Sequence, residues 1–480
     1  MYIGLDLGTS GLKGVLIDEA QHVVAEAVAP LEVSRPHPGW SEQNPADWIA
    51  ACEAVLSVLA GSDLSAVKGI GLSGQQHGAV VLDAADAVLR PAILWNDTRA
   101  HAEAAALDAD PRFRTISGNI VFAGFTAPKL MWMARHEPAL RARVAKVLLP
   151  KDYLRLWLTG EHVGDMSDSA GTSWLDTGAR DWSDALLAAT DLGREHMPRL
   201  VEGSEVSGHL RAELAARWGL PPSVVVAGGG GDNAASAVGV GAVRPGEGFV
   251  SLGTSGVLFA ATEGYSPDAA SAVHSFCHAL PGAWHQMGVI LSATDSLNWY
   301  ARMVGQGAAE LTKGLGPLQA PGRPLFLPYL GGERTPLNDA ALRGAFLGLE
   351  HATDTAAGTR AVLEGVAFAL RDCRDALAST GTELRSLIAV GGGSRSEYWL
   401  AAIATALDVP VGVPAAGDFG GAFGAARLAL MAATGAGTEV LTPPPLARQI
   451  APDAALAAAF AEGHARHRAA RDAVRALKGI

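Results

Sequence analysis

Asp232 is the residue with the greatest chemical potential in this chain. It follows four glycines, Gly228-Gly229-Gly230-Gly231, between the apolar run Val224-Val225-Val226-Ala227 and a small-residue segment, Ala234-Ala235-Ser236-Ala237-Val238, that reads as a helix. An aspartate there can cap the helix. It can also act as a general base, accepting the proton of a hydroxyl as that hydroxyl takes up a phosphoryl group. A cap needs no run of glycines, whereas backbone that a ligand approaches closely does, so the pattern favours the base. A second carboxylate, Asp6, lies at the end of Ile3-Gly4-Leu5-Asp6-Leu7 and leads into Gly8-Thr9-Ser10-Gly11-Leu12-Lys13. Small side chains, hydroxyls and accessible backbone N–H groups suit phosphate oxygens, and Asp6 suits a hydrated Mg²⁺. Alone, this turn is an ordinary hairpin. Half a chain later, however, Leu252-Gly253-Thr254-Ser255-Gly256 repeats Leu7-Gly8-Thr9-Ser10-Gly11 residue for residue. Two such turns together read as a clamp on a polyphosphate.

Three further patterns carry less. Gly74-Gln75-Gln76-His77-Gly78 is a polar cluster at a strand end, and His77 reads equally as a structural histidine and as a contact for sugar hydroxyls. Gly69-Ile70-Gly71-Leu72-Ser73-Gly74 has the G-x-G-x-x-G spacing, but strand-like Ala79-Val80-Val81-Leu82 follows where a dinucleotide site requires a helix. No Walker A loop occurs, so an ATP site would need another scaffold. His274, Cys277 and His278 lack a fourth ligand at metal spacing and read as packed side chains.

The elements that must position these residues follow from period and punctuation. Ile3–Leu7, Val15-Leu16-Ile17 and His22-Val23-Val24-Ala25, separated by turn residues, form an antiparallel meander. Asn44-Pro45-Ala46-Asp47 opens a helix as N-cap, first helical residue and dipole partner, and Trp48 to Leu59 continue it at helical spacing. A strand follows at about 67–72. After residue 245, Phe249-Val250-Ser251-Leu252 and Val257-Leu258-Phe259-Ala260 flank the second glycine turn, as in the first half. The reading is therefore two similar domains, 1–245 and 246–480. In the second, Leu387-Ile388-Ala389-Val390 runs into Gly391-Gly392-Gly393-Ser394 and then a helix to Leu407. The end of the chain, from about Leu456 to Leu477, is Ala- and Arg-rich and helical in character.

The 480 residues are 49% hydrophobic and 18% charged, which is ample for a large core. Lys plus Arg is 37 and Asp plus Glu is 49, and the net charge of −12 disfavours nucleic acid or an anionic membrane as partner. Three widely spaced cysteines, Cys52, Cys277 and Cys373, give no disulfide framework and point to a reducing compartment. With no basic leader and no run of 18 apolar residues, a cytoplasmic location is expected.

Together these residues resemble the FGGY carbohydrate kinases, a branch of the actin-like ATPase superfamily. Ala92-Ile93-Leu94-Trp95-Asn96-Asp97, Gly124-Phe125-Thr126-Ala127-Pro128-Lys129-Leu130, Leu149-Pro150-Lys151-Asp152-Tyr153-Leu154-Arg155, His274-Ser275-Phe276-Cys277-His278 and Gly332-Glu333-Arg334-Thr335-Pro336 add to the likeness, which runs from residue 1 to about 430. It implies an α/β fold of two actin-like, ribonuclease-H-like domains flanking a catalytic cleft. The N-terminal domain would hold the sugar site, the first phosphate turn and the base. The C-terminal domain would hold the second phosphate turn and the adenosine site, with helices at the end of the chain. It implies ATP and Mg²⁺ as cofactors and ATP-dependent phosphorylation of D-xylulose. D-ribulose, L-fuculose, a pentitol or glycerol are the alternative substrates, and a non-catalytic actin-like ATP-binding protein is a remoter reading. By resemblance, Asp232 is the base, and Gln76, His77, Asp232 and Asn233 contact the sugar. Thr9, Ser10, Lys13, Gly253 and Thr254 face phosphate, Gly391, Gly392, Gly393 and Ser396 face adenosine, and Asp6 with Asp232 holds the metal. The partners implied are the sugar and ATP, a homodimer being compatible with the likeness. Two positions depart from the family pattern: Gln76, where Met is usual, and Leu337, where His is usual.

Overall fold

The computed structural model describes residues 1–415 and 419–477, and 416–418 and 478–480 lie outside the described residues. The chain forms two compact units. The first comprises Met1–Val243, Ser275–His285 and residues 419–443, and the second comprises Arg244–His274 and residues 286–415 and 444–477. Where the sequence reading draws one boundary at 245, two later segments thus join the first unit.

In the first unit, β1 (Tyr2–Leu7), β2 (Gly11–Ile17) and β3 (Val23–Pro30) form the antiparallel meander, with Asp6 opposite Lys13 and Leu7 opposite Leu12. β4 (Gly69–Gly74) runs parallel to β1, which sets Asp6 beside Ser73 and Gly4 beside Gly71. β5 (Val206–His209) and β6 (Val225–Ala227) complete the order β5-β6-β4-β1-β2-β3. In the second unit, β7 (Glu247–Leu252) and β8 (Gly256–Thr262) are the antiparallel hairpin, and β9 (Trp284–Ile290), which belongs to this unit from Gln286 on, lies beyond β8. β10 (Ser386–Val390) is parallel to β7, β11 (Val411–Pro414) is parallel to β10, and β12 (Leu446–Ile450) is antiparallel to β11. The order β12-β11-β10-β7-β8-β9, continued beyond β9 by the strand His274–Cys277, repeats over these six strands that of the first sheet. The two Gly-Thr-Ser-Gly turns therefore occupy equivalent places, each between the first two strands of its unit.

Helix Pro45–Leu59 starts where the sequence places it, with the Asn44 side chain accepting from the Ala46 N–H at 3.2 Å. Its apolar face (Trp48, Ala51, Cys52, Val55, Leu56 and Leu59) is buried, each large side chain contributing about 1.5–3 kcal/mol. Helix Gly421–Thr434 explains why a segment so late in the chain belongs to the first unit, and what the G-x-G spacing is for. A Cβ at Gly4 would stand 1.8 Å from the Ala422 carbonyl oxygen, and one at Gly71 would stand 1.8 Å from that of Ala425. Glycines side by side on β1 and β4 thus form a flat slot in which the helix backbone lies directly on the sheet. Gly424 repeats the device on the helix itself, 1.7 Å from the Ala235 carbonyl oxygen by the same measure. Among the described residues, no helix is long and apolar enough to cross a membrane.

Candidate active site

Asp232 opens helix Asp232–Val240, but the N-cap is Gly231, which makes no side-chain capping bond. The carboxylate is therefore not the cap that its position in the sequence allowed. Its Oδ1 accepts from the Asn233 N–H at 2.7 Å and from Asn233 Nδ2 at 2.9 Å. Dense surrounding protein, and then the negative charge of Asp6, push its pKa up to about 7, against the lowering effect of the two Asn233 bonds. Asp232 nevertheless keeps partial solvent access. A carboxylate poised near neutrality is suited to taking a proton.

The four preceding glycines have a different cause from the one their sequence suggests. Cβ atoms at Gly228 and Gly229 would meet the carbonyl oxygens of Glu202 and Leu72, each at 2.1 Å, and one at Gly231 would meet Gln76 Nε2 at 2.6 Å. Gly229 also has φ +73°. The run is demanded by contacts with the protein's own chain, so close approach of a ligand is not needed to account for it.

Asp6 accepts from Ser73 Oγ at 2.7 Å. A Cβ at Gly421 would lie 2.8 Å from its carboxyl group, so the start of helix Gly421–Thr434 stands beside Asp6. Lys13, opposite Asp6 on β2, pairs with Glu26 at 3.1 Å. In the turn, Ser10 is exposed, whereas Thr9 is tied into a network. Thr9 Oγ1 donates to Gln75 Oε1 and accepts from Trp95 Nε1, both at 3.0 Å, while Gln43 Nε2 donates to the Thr9 carbonyl at 2.8 Å. Gln76 Nε2 reaches the Ser167 carbonyl at 3.4 Å. His77 has φ +67°, and its Nδ1 is 2.8 Å from the Gly171 carbonyl.

The pattern-based reading missed a buried ionic cluster beneath this loop. Lys151 Nζ lies 2.5 Å from Asp152 and Asp165 and 3.2 Å from Asp168. Burial alone would lower Lys151, but the three carboxylates raise it, and burial pushes Asp168 well above the carboxylate range. Arg155 donates to Ser207 Oγ at 2.6 Å and to the carbonyls of Ala227 and Gly228, and Ser167 Oγ accepts from the Gly231 N–H at 3.1 Å. The cluster thus fixes both ends of the glycine run. Its sequence signal was Lys151 and Arg155, four apart on one face of a helix otherwise rich in apolar residues.

In the second unit, the turn at Gly253-Thr254 is anchored by its carbonyls. Gly253 accepts from the Thr294 N–H at 2.9 Å and from Thr294 Oγ1 at 2.7 Å, and Thr254 accepts from the Ala293 N–H at 2.8 Å. Beside β10 lies a cavity of about 1070 Å³ lined by residues that include Thr294, Asn298, Lys313, Gly392, Gly393, Ser396 and Tyr398, a size that admits a nucleoside. A Cβ at Gly392 would meet nothing within 4 Å. Gly391 (φ +85°) is instead packed against Leu252, and Gly393 against Leu252 and Trp399. Ser396 caps helix Glu397–Leu407, its Oγ accepting from the Trp399 N–H at 3.4 Å. Leu337 packs with Leu327, Tyr329 and Leu342. The described residues include no group of three or more His, Cys, Asp or Glu side chains that could hold a metal ion. The donor set near Asp232 is a carboxylate pair with Asp6, which fits Mg²⁺, an ion that takes one or two carboxylates and completes its shell with water and phosphate.

Residues 1–239 match the N-terminal domain of the FGGY family of carbohydrate kinases, and residues 248–433 match its C-terminal domain. The chain belongs to this family. As an FGGY kinase it is an ATP-using enzyme acting on a sugar. It is 50% identical to the xylulose kinase of Escherichia coli over 96% of both chains, and 42% identical to that of Lactococcus lactis over 82% of this chain and 80% of the other. Among solved structures it resembles a xyloylose kinase from Brucella ovis, with TM-score 0.98 and 64% identity over 99% of this chain and 100% of the other. It also resembles a xylulose kinase from Rhodospirillum rubrum, with TM-score 0.92 and 31% identity over 99% of both chains.

Proposed function

We propose that this FGGY kinase transfers the γ-phosphoryl group of ATP to D-xylulose, giving D-xylulose 5-phosphate and ADP. The observation that carries the reading is Asp232: a carboxylate with its pKa near 7, not used as a cap, one residue beyond the glycine against which Gln76 packs. Similarity to xylulose kinases over nearly the whole chain supports the choice of ketose.

In this mechanism Asp232 accepts the C5 hydroxyl proton as the phosphoryl group arrives. Gln76, His77 and Asn233 orient the sugar. Ser10, Lys13 and the backbone N–H groups of the turns at Thr9 and at Gly253-Thr254 hold phosphate oxygens. Adenosine occupies the cavity beside Gly392, with Gly393 and Ser396 on its wall and Gly391, packed against Leu252, holding the turn that leads into it. Asp6 and Asp232 would hold Mg²⁺, which when bound neutralises charge on the phosphates. A homodimer and a cytoplasmic location belong to the same proposal, to be read by sedimentation and cell fractionation.

A coupled ADP-release assay across D-xylulose, D-ribulose, L-fuculose, pentitols and glycerol tests the substrate. D-xylulose is expected to give the highest kcat/KM, and a higher value for another acceptor would reassign it. Asp232→Ala is expected to abolish sugar-dependent turnover while ATP binding persists, and near-normal turnover would remove Asp232 from the base role.

A further inference from the structure

Lys129 is fully buried in helix Thr126–His136, and its side-chain nitrogen donates to the carbonyl oxygens of His77 at 2.6 Å and Gly124 at 2.8 Å. Thr126 Oγ1 donates to the same His77 carbonyl at 3.1 Å. Burial pulls the Lys129 pKa well below the usual lysine range, Arg99 adds a smaller push in the same direction, and Asp97 opposes it. Charged or neutral, the amine has the two N–H groups that two carbonyls require. The imidazole of His77 is held as well as its backbone. It stacks on Phe125 at 4.5 Å between centroids and 25° between planes, and a Cβ at Gly171 would strike it at 2.3 Å. The Gly171 carbonyl at Nδ1 calls for a proton there, so Nε2 is the acceptor of the neutral ring.

His77 adopts φ +67°, a left-handed conformation that glycine adopts freely and that His, like Asn and Asp, reaches more readily than other residues but still at some cost. A turn needed only for chain reversal would be met by glycine. Here an imidazole is kept, and a buried lysine, a threonine hydroxyl, an aromatic ring and a carbonyl all converge on it. Strain retained under such constraint marks a side chain whose placement matters.

We propose that Lys129 is a positioning residue for sugar recognition: by gripping the His77 carbonyl it holds that residue left-handed, and so fixes where the imidazole meets a ketose hydroxyl. The inference rests on the reading of His77 as a sugar contact. It gives the Gly124-Phe125-Thr126-Ala127-Pro128-Lys129 stretch a physical task, with Phe125 holding the ring and Thr126 and Lys129 the main chain.

A double-mutant cycle tests it in the full-length enzyme, with thermal unfolding measured alongside and KM determined for D-xylulose and for ATP with Mg²⁺. His77→Ala should raise the D-xylulose KM about tenfold, and Lys129→Met should do the same with the ATP KM changed by less than about twofold. In the His77→Ala background, Lys129→Met should add less than about twofold, because the group through which it acts is gone. An equal effect in both backgrounds, or an ATP KM that rises with the sugar KM, would make Lys129 merely structural and overturn the proposal. If His77→Ala leaves the sugar KM unchanged, the sugar-contact reading fails first and the proposal falls with it. Should Lys129→Met not fold, Thr126→Val decides by the same cycle. A rise of about two- to threefold that vanishes with His77→Ala supports the grip, and an unchanged KM or a rise that persists refutes it.

Discussion

Replacing Asp232 with Asn should stabilise the protein above pH 7 while removing activity, and the pH dependence of that gain tests the burial argument. The folded-state pKa is raised from 3.8 to about 7, so the folded protein holds a proton that the unfolded chain has already released. Stability from this group is therefore fully present below about pH 4 and is lost as pH rises through 7. Raising a carboxyl pKa from 3.8 to about 7 corresponds to about 4 kcal/mol. Solvent access at Asp232 screens the charge, leaving about 1–2 kcal/mol to be recovered by an uncharged isostere. Urea unfolding of the metal-free wild type and of Asp232→Asn, followed from pH 8 toward pH 4, should show the variant more stable at pH 8 and the difference shrinking with falling pH. The same titration should appear in the chemical shift of the Asp232 carboxyl carbon of the metal-free protein, with a midpoint near 7. Asp6→Asn should move that midpoint downward, but burial, the larger cause, should keep it above the ordinary carboxylate range. A stability difference that grows toward low pH, or a midpoint near 4, would refute the reasoning.

The packing at four glycines gives further expectations. Gly4→Ala places a methyl group 1.8 Å from a backbone carbonyl and should cost about 3 kcal/mol in denaturant unfolding. Gly264→Ala, with nothing within 4 Å, should change stability by less than about 0.5 kcal/mol. At the cavity of the second unit, Gly392→Leu should leave the unfolding midpoint unchanged and raise the ATP KM about tenfold, because that side chain would grow into the cavity. Gly393→Leu should instead lower the midpoint, since its Cβ would come within 2.7 Å of Leu252 and 2.9 Å of Trp399.

What could be read in the sequence was what short stretches encode. The meander of β1 to β3, the helix opened by Asn44 and Pro45, and the twin turns at Gly8 and Gly253 all depend on residues within a few positions of one another. The dinucleotide spacing at Gly69–Gly74 could be dismissed for the same local reason, a strand where a helix was required. The purpose of those glycines could not be read, because the helix that lies on Gly4 and Gly71 is encoded after residue 420. The single boundary at 245 missed that helix for the same reason.

The site divides along the same line. The identity of Asp232 was legible, but the warrant drawn from the four glycines was not sound, since contacts with Glu202, Leu72 and Gln76 account for three of them. What distinguishes Asp232 from a capping aspartate is its environment: the dense packing around it, Asp6 from the first strand, and a cap supplied by Gly231 instead. A pKa near 7 is thus a product of segments around residues 6, 76 and 228–233 being brought together, with Arg155 and Ser167 fixing the loop from below. No single stretch contains it. Residue type is a local property and proton affinity a tertiary one, so a base could be nominated from spacing, but its readiness to act near neutral pH became visible only once the fold had brought these segments into contact.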